Sequence, residues 1–201
     1  QKGVPVNIDR AEELKSYFHK KEKEFLNEIK RETGKDVEIW AAASIAEAFD
    51  AIDLPYPRTE KTSAPSFTKF WLKNHEHKVP KMIVEARELN KARTTFVDTI
   101  LKHTHKGRIH AELNQLRSDD AGTVTGRFSY SNPNLQQMPA RNAEIGPLIR
   151  SLFIPEKDTL WGAFDYSSQE PRLVVHYGSI LGFNGARDFA DEYHKDVATD
   201  F

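Results

Sequence analysis

Cysteine is absent from this 201-residue chain, which excludes disulfides, cysteine–zinc sites and thiol nucleophiles. No apolar run approaches the roughly 20 residues that a membrane span needs, so no membrane partner is expected. There is no internal repeat and no low-complexity tract. No signal-peptide pattern and no initiating methionine are present, and the opening Gln1-Lys2-Gly3 reads as the interior of a longer chain. A charge excess is also missing overall, since the net charge is −1. That balance hides a segregation. Residues 61–110 hold 11 Lys/Arg against 4 Asp/Glu, and residues 156–201 hold 4 against 9. A basic block suits a polyanion and an acidic block suits cations, although ordinary surface charge explains the same numbers equally well. What is present is enough apolar residue, 38%, to bury a real core in one large or two small domains.

The apolar period divides the chain into two regimes. A helix is expected after Asp9, with Glu12 as capping partner and Leu14, Phe18, Phe25 and Ile29 along one face until Gly34. A second follows Ser44, with Ile45, Phe49 and Ile52 inward until Pro55, and a third carries Phe67, Phe70 and Trp71. Pro80 opens a long amphipathic helix with Met82, Ala86, Leu89 and Phe96 as its stripe and Lys81, Arg87, Lys91 and Arg93 outside. From Arg108 the period becomes two: Ile109, Ala111 and Leu113 read as a strand. The polar stretch from Leu116 to Asn142 reads as a long ordered loop. Leu152–Ile154 and Leu160–Asp165 read as strands, a helix carries Leu173, Val174 and Tyr177, and another begins near Arg187. Helices followed by strands imply an α+β fold with a helical subdomain first.

Two segments carry candidate chemistry. Phe164-Asp165-Tyr166-Ser167-Ser168-Gln169-Glu170-Pro171-Arg172 places a carboxylate where an apolar segment turns into a helix. Such a carboxylate can hold a divalent metal for phosphoryl transfer, or it can simply cap the helix. Upstream, Thr125-Gly126-Arg127-Phe128-Ser129-Tyr130-Ser131-Asn132-Pro133-Asn134-Leu135-Gln136-Gln137-Met138-Pro139 is rich in Arg, Asn and Gln. Every base pair shows acceptors at similar places in the minor groove, so these side chains can check pair geometry without reading sequence. A turn-rich surface loop has the same composition. The pairs His75/His77 and His103/His105 lack a third ligand nearby and read as structural. Trp40, Trp71 and Trp161 read as packing residues.

Taken in order, Thr125 to Pro139, then Arg141, Ile149 to Pro155, Asp165-Tyr166-Ser167, Glu170, Arg172 and His176 resemble family A DNA polymerases, the bacterial DNA polymerase I group and its phage relatives. Leu54-Pro55, Thr59-Glu60-Lys61-Thr62 and Arg87-Glu88-Leu89-Asn90-Lys91 resemble that family's thumb, and Tyr193 to Ala198 resembles its entry into the fingers. The resemblance implies a helical thumb over 1–105, an N-terminal part of an antiparallel-sheet palm over 106–182 and the start of the fingers over 183–201, an incomplete right hand. It implies that Asp165 is the first of two metal-binding aspartates, with the Tyr166 carbonyl as a further ligand, for two Mg²⁺ ions in the complete site. Glu170 would be the gate that rejects ribonucleotides. Tyr166, Ser167, Ser168, Gln169, Glu170 and His194 would line the nucleotide site. Lys91, Arg93, Thr94, Arg127, Ser129, Asn134, Gln136, Gln137, Arg141 and Arg172 would touch primer–template DNA.

The sequence departs from the family pattern at Gln169, Pro171 and Gln137, where an apolar residue, Leu and Asn are usual. The fingers helix and the second catalytic aspartate are not found. The expectation is therefore a polymerase part, inactive alone, whose partners are primer–template DNA, deoxynucleoside triphosphates and either a second polypeptide or a further C-terminal portion. A non-catalytic primer–template-binding module is the alternative. A single-subunit RNA polymerase relative fits poorly, because Glu170 would crowd out its substrates. An intracellular location follows, with the cytoplasm of a bacterium or phage-infected cell ahead of an organelle.

Overall fold

The first helix, α1 (Ile8–Thr33), begins because Asn7 accepts a hydrogen bond from the Arg10 amide through its side chain. The start thus lies ahead of the expected position after Asp9, since Asn7 is the better-placed cap. In this computed structural model, the structure describes residues 2–118, 122–140, 142–183, 185 and 188. The helix ends as expected at Gly34, whose φ of 69° lets its amide reach the Lys30 carbonyl. Leu14, Phe18 and Ile29 are buried on one face.

Helix α2 (Ala42–Asp50) starts earlier than expected, because the Ser44 hydroxyl accepts from the Glu38 amide and does not cap the helix. Helix α3 (Lys69–Asn74) is capped by Thr68, and it leaves Phe67 before the helix and Phe70 exposed. Helix α4 (Lys78–Lys91) is capped by His77, whose Nδ1 accepts from the Val79 amide. His75 in turn accepts from the His77 amide and packs against Trp71. The first histidine pair is thus a capping device. Helix α4 continues through a π-helical segment, Ala92–Val97, into α5 (Asp98–His103). The structure corrects one expectation here: Arg87 is not on an outer face. Its Nε donates to the Ile39 carbonyl at 2.7 Å, its Nη1 to the Phe67 carbonyl at 3.3 Å, and its guanidinium covers the Trp40 ring.

Two apolar clusters hold this region. One joins Ile29, Ile45, Phe49, Leu72, Val79 and Ile83. The other joins Val6, Leu14, Phe18, Val97, Ile100, Ile109, Ile149 and Leu152. Phe25 packs against both. Each fully buried Phe, Leu or Ile contributes roughly 1.5–3 kcal/mol, so the second cluster fastens residues 106–157 to α1.

The strands are short and antiparallel. β1 (Val4–Pro5), β2 (Thr104–His105) and β3 (Arg108–Ile109) form one sheet in the order β1-β3-β2. β4 (Glu112–Asn114) and β5 (Ser129–Ser131) form the other, with Leu113 opposite Tyr130. The single strand expected over 109–113 is therefore two strands in different sheets. The long loop contains β5 and a 3₁₀ turn, Leu135–Gln137. A further helix, α6 (Ile145–Arg150), was not expected.

Leu152–Ile154 is not a full strand. Its backbone is still turning out of α6, and a single bridge joins Phe153 to Val6. Leu160–Asp165 is not a strand either. No described residue pairs with it, and Leu160 and Phe164 are exposed. A strand needs a neighbour to take its backbone hydrogen bonds.

The chain divides into two compact units, 1–157 and 158–201. In the second, α7 (Gln169–Ile180) forms over the expected Leu173, Val174 and Tyr177, and Gly182 follows it with a φ of 81°. These three side chains are exposed. Arg187 lies outside the described residues. Helices with small antiparallel sheets make the fold α+β, as expected. Among the described residues no helix is long and apolar enough to cross a membrane.

Candidate functional site

The first unit presents two groups of expected DNA-contacting residues. One lies where α4 passes into the π-helical segment. Lys91 and Thr94 are exposed, and the Thr94 hydroxyl donates to the Asn90 carbonyl. Arg93 is different: its Nε and Nη2 donate to Glu22 Oε2 at 3.3 and 3.1 Å. Glu22 Oε1 accepts from Asn90 Nδ2 at 2.7 Å, and Asn90 Oδ1 accepts from Trp40 Nε1. The Glu22 side chain is 8% exposed and that of Arg93 is 21% exposed. The acid therefore anchors α4 to α1 and takes two of the Arg93 nitrogens. Sequence reasoning missed Glu22, yet the signal existed. It falls inside the apolar stripe Leu14, Phe18, Phe25 and Ile29, where a carboxylate must find a partner.

The second group is the loop after β4. Arg127, Gln136 and Gln137 are exposed, and Ser129 and Asn134 are half-buried. Gly126 turns the chain with a φ of 74°, and the Thr123 hydroxyl donates to the Arg127 carbonyl. Asn134 Oδ1 accepts from the Gln136 amide, and Gln136 Nε2 donates to the Phe128 carbonyl at 3.0 Å. The 3₁₀ turn is thus tied back to the residue beside Arg127. Gln136 spends its amide inside the loop, whereas Asn142, unmarked in sequence, joins the loop's end to α4 through Glu88 at 2.7 Å.

The second unit carries the candidate metal and nucleotide residues. Asp165, Tyr166 and Ser167 are exposed, and Ser168, with a φ of 52°, leads into α7. Arg172 Nε donates to the Ser167 carbonyl at 2.9 Å, which pins this turn. Glu170 lies in the first turn of α7, where the helix dipole favours a negative charge. Pro171 follows it at a position where a helix tolerates proline. Phe164 sits against Gly162, where an added Cβ would come within 2.6 Å of the ring. The Asp165 carboxylate and the Tyr166 carbonyl are hard oxygen donors of the kind Mg²⁺ takes. Among the described residues no group of three or more His, Cys, Asp and Glu side chains gathers as a metal cage. Neither histidine pair belongs to such a group, and His103 Nδ1 lies 2.9 Å from the Thr99 carbonyl. Arg141 and His194 lie outside the described residues.

Comparison with known proteins gives a consistent result. The family model described as DNA polymerase family A matches residues 8–199. A DNA-directed DNA polymerase of Pseudomonas phage M6 is 34% identical over an alignment covering 100% of this chain and 32% of that protein. The thermostable DNA polymerase I of Thermus aquaticus is 38% identical over 72% of this chain and 18% of its own. Among solved structures, the POL domain of Pol1 from M. smegmatis, in complex with DNA primer-template and dNTP, superposes with a TM-score of 0.69 at 25% identity. That match covers 87% of this chain and 30% of the other. This chain thus spans about a third or less of the length of the relatives it matches.

Proposed function

Because this chain belongs to DNA polymerase family A, we propose that it is part of an enzyme that adds deoxynucleotides to a primer 3′ end under template direction. The observation that carries this reading is the arrangement at the entry to α7. An exposed Asp165 precedes a turn pinned by Arg172, and Glu170 stands on the first helical turn. Asp165 and the Tyr166 carbonyl hold Mg²⁺ in this proposal. When bound, the metal supplies charge neutralisation on the triphosphate and activation of the primer hydroxyl.

The chain's own residues bind and orient. Residues 1–105 act as thumb, 106–182 as the first part of the palm and 183–201 as the start of the fingers. Lys91, Thr94 and the remaining Arg93 nitrogen contact duplex phosphates, which position without specifying. Arg127, Asn134 and Gln137 contact the primer–template near its growing end, Arg141 contacts the primer backbone, and Ser129, Gln136 and Arg172 contact the same DNA. Tyr166, Ser167, Ser168 and Gln169 border the incoming nucleotide, with His194 near its phosphates. Glu170 crowds the sugar 2′ position. The solved relative's complex with primer-template and dNTP supports these partners. The second aspartate and the triphosphate-gripping residues come from further polypeptide in this proposal, a reading supported by the chain's match to only about a third of its relatives' length. The 201-residue chain alone is then inactive, and the complete enzyme works inside the cell.

The test is Asp165→Ala in the complete enzyme. Primer extension with Mg²⁺ is expected to vanish while primer–template affinity stays within about threefold. Undiminished extension would sink the metal assignment. Undiminished extension in every palm variant, with binding intact, would leave a DNA-binding module in its place.

A further inference from the structure

The loop that bears Arg127, Asn134 and Gln137 is held at its base by a side chain with no role in the reading above. Glu112 opens β4, with its backbone opposite Ser131. Its Oε2 accepts from Asn132 Nδ2 at 2.9 Å and from the Ser131 hydroxyl at 3.2 Å. Asn114, two residues on and so on the same face of the strand, donates from Nδ2 to the same hydroxyl at 3.1 Å. The held residue, Asn132, has a φ of 49°, in the left-handed region that side-chain-bearing residues enter at a cost. It is the last residue before the buried Pro133 and the 3₁₀ turn. Gln136 in that turn reaches back to the Phe128 carbonyl. One carboxylate therefore holds the residue that leads into Asn134 and the turn bearing Gln137, and Gln136 ties that turn to the neighbour of Arg127.

Resting on the reading of this loop as a duplex contact, we infer that Glu112 is a positioning residue for primer–template recognition. It touches no substrate. It sets the loop by accepting two hydrogen bonds, and its negative charge opposes the approach of a polyanion. These two effects have opposite signs and separate by substitution. Gln retains an acceptor oxygen and removes the charge, whereas Ala removes both.

The experiment measures steady-state extension by the complete enzyme on paired and mispaired primer ends, for Glu112→Gln, Glu112→Ala and Asn132→Gly. Glycine accepts the φ of Asn132 without strain and deletes the amide that Glu112 holds. Glu112→Ala and Asn132→Gly are expected to raise KM for primer–template roughly fivefold, about one lost net hydrogen bond. Both are expected to reduce the preference for paired ends, with kcat at saturating DNA unchanged. Glu112→Gln is expected to restore KM and the preference to within about twofold. The inference is overturned if Glu112→Ala matches Glu112→Gln, or if Asn132→Gly leaves KM and pairing preference untouched. Asn134→Ala and Gln137→Ala in the same assay isolate the underlying reading. If neither alters KM or pairing preference, the loop is not a duplex contact. If they do and Glu112→Ala does not, only the role of Glu112 fails.

Discussion

Removal of Arg93 tests whether α1 and the helix running from α4 into Ala92–Val97 are locked by charge. The Glu22 carboxylate is 8% exposed and accepts three hydrogen bonds, two of them from Arg93. In Arg93→Ala the acid keeps only Asn90. Breaking a buried pair from one side costs about 3–5 kcal/mol, because the surviving charge is left uncompensated. The Arg93 side chain is 21% exposed, so water reaches the vacated space, and the low end, about 3 kcal/mol, is expected. Glu22→Ala leaves a partly hydrated guanidinium, costing about 2 kcal/mol, and an unpaired Asn90 amide, costing about 1 kcal/mol more. The double variant leaves no orphaned charge, so it should lose far less than the sum of the two single losses. A coupling of about 2–3 kcal/mol is expected. Urea unfolding followed by near-ultraviolet circular dichroism measures all four proteins. Thermal midpoints of the single variants should fall by roughly 6–12 °C, at about 2–4 °C per kcal/mol for a domain this size. A coupling below about 0.5 kcal/mol would refute the argument, since that is the behaviour of a solvent-exposed pair.

Glu156 is expected to give a pH signature. Hydrogen bonds from Arg108 and Lys2 hold its carboxyl down at about 2. A lowered folded value means that its stabilisation is complete above the ordinary value of 4.5 and is lost as pH falls from there towards about 2. Unfolding midpoints across that window should fall less steeply in Glu156→Gln, and parallel curves would contradict the assignment. Gly34→Ala should destabilise by about 1 kcal/mol, because the residue holds a φ of 69° with open space around it. A neutral result in urea melts would mean that the helix end relaxes without strain.

Much of the fold is written in the apolar period. Leu14, Phe18 and Ile29, then Ile45 and Phe49, then Met82, Ala86 and Leu89 all turn inward as spacing alone requires. The misses have identifiable physical causes. Arg87 reads as a surface cation because charge is local information. The carbonyls that hold it belong to Ile39 and Phe67, 48 and 20 residues away in the chain. The π-helical segment after Lys91 is invisible, because a change of helical pitch leaves the alternation of apolar residues nearly intact. Helix α6 escapes because its six residues are too few to show a period. The strand expected over 160–165 fails for the complementary reason: a strand's stability belongs to its neighbour, and no described residue is that neighbour.

The candidate site shows the same division in sharper form. Residues that would meet a substrate, such as Asp165, Glu170 and Arg127, are legible because their chemistry and order carry the family pattern. Residues that hold the elements of the first unit in place are not legible, because Glu22, Glu112 and Asn142 act through partners chosen by the fold. Glu22 reaches across 68 and 71 residues, Asn142 across 54 and Glu112 across 19 and 20. Each is a polar side chain that spends its hydrogen bonds inside the protein. Glu22 is a buried carboxylate, which costs free energy unless it is paired and hydrogen-bonded, and Arg93 and Asn90 supply that pairing. The side chains that look least like a polymerase in the sequence are therefore the ones whose substitution should separate geometry from chemistry. Asp165→Ala removes the proposed metal ligand and should abolish turnover, whereas Glu112→Ala should leave kcat and weaken only how DNA is held.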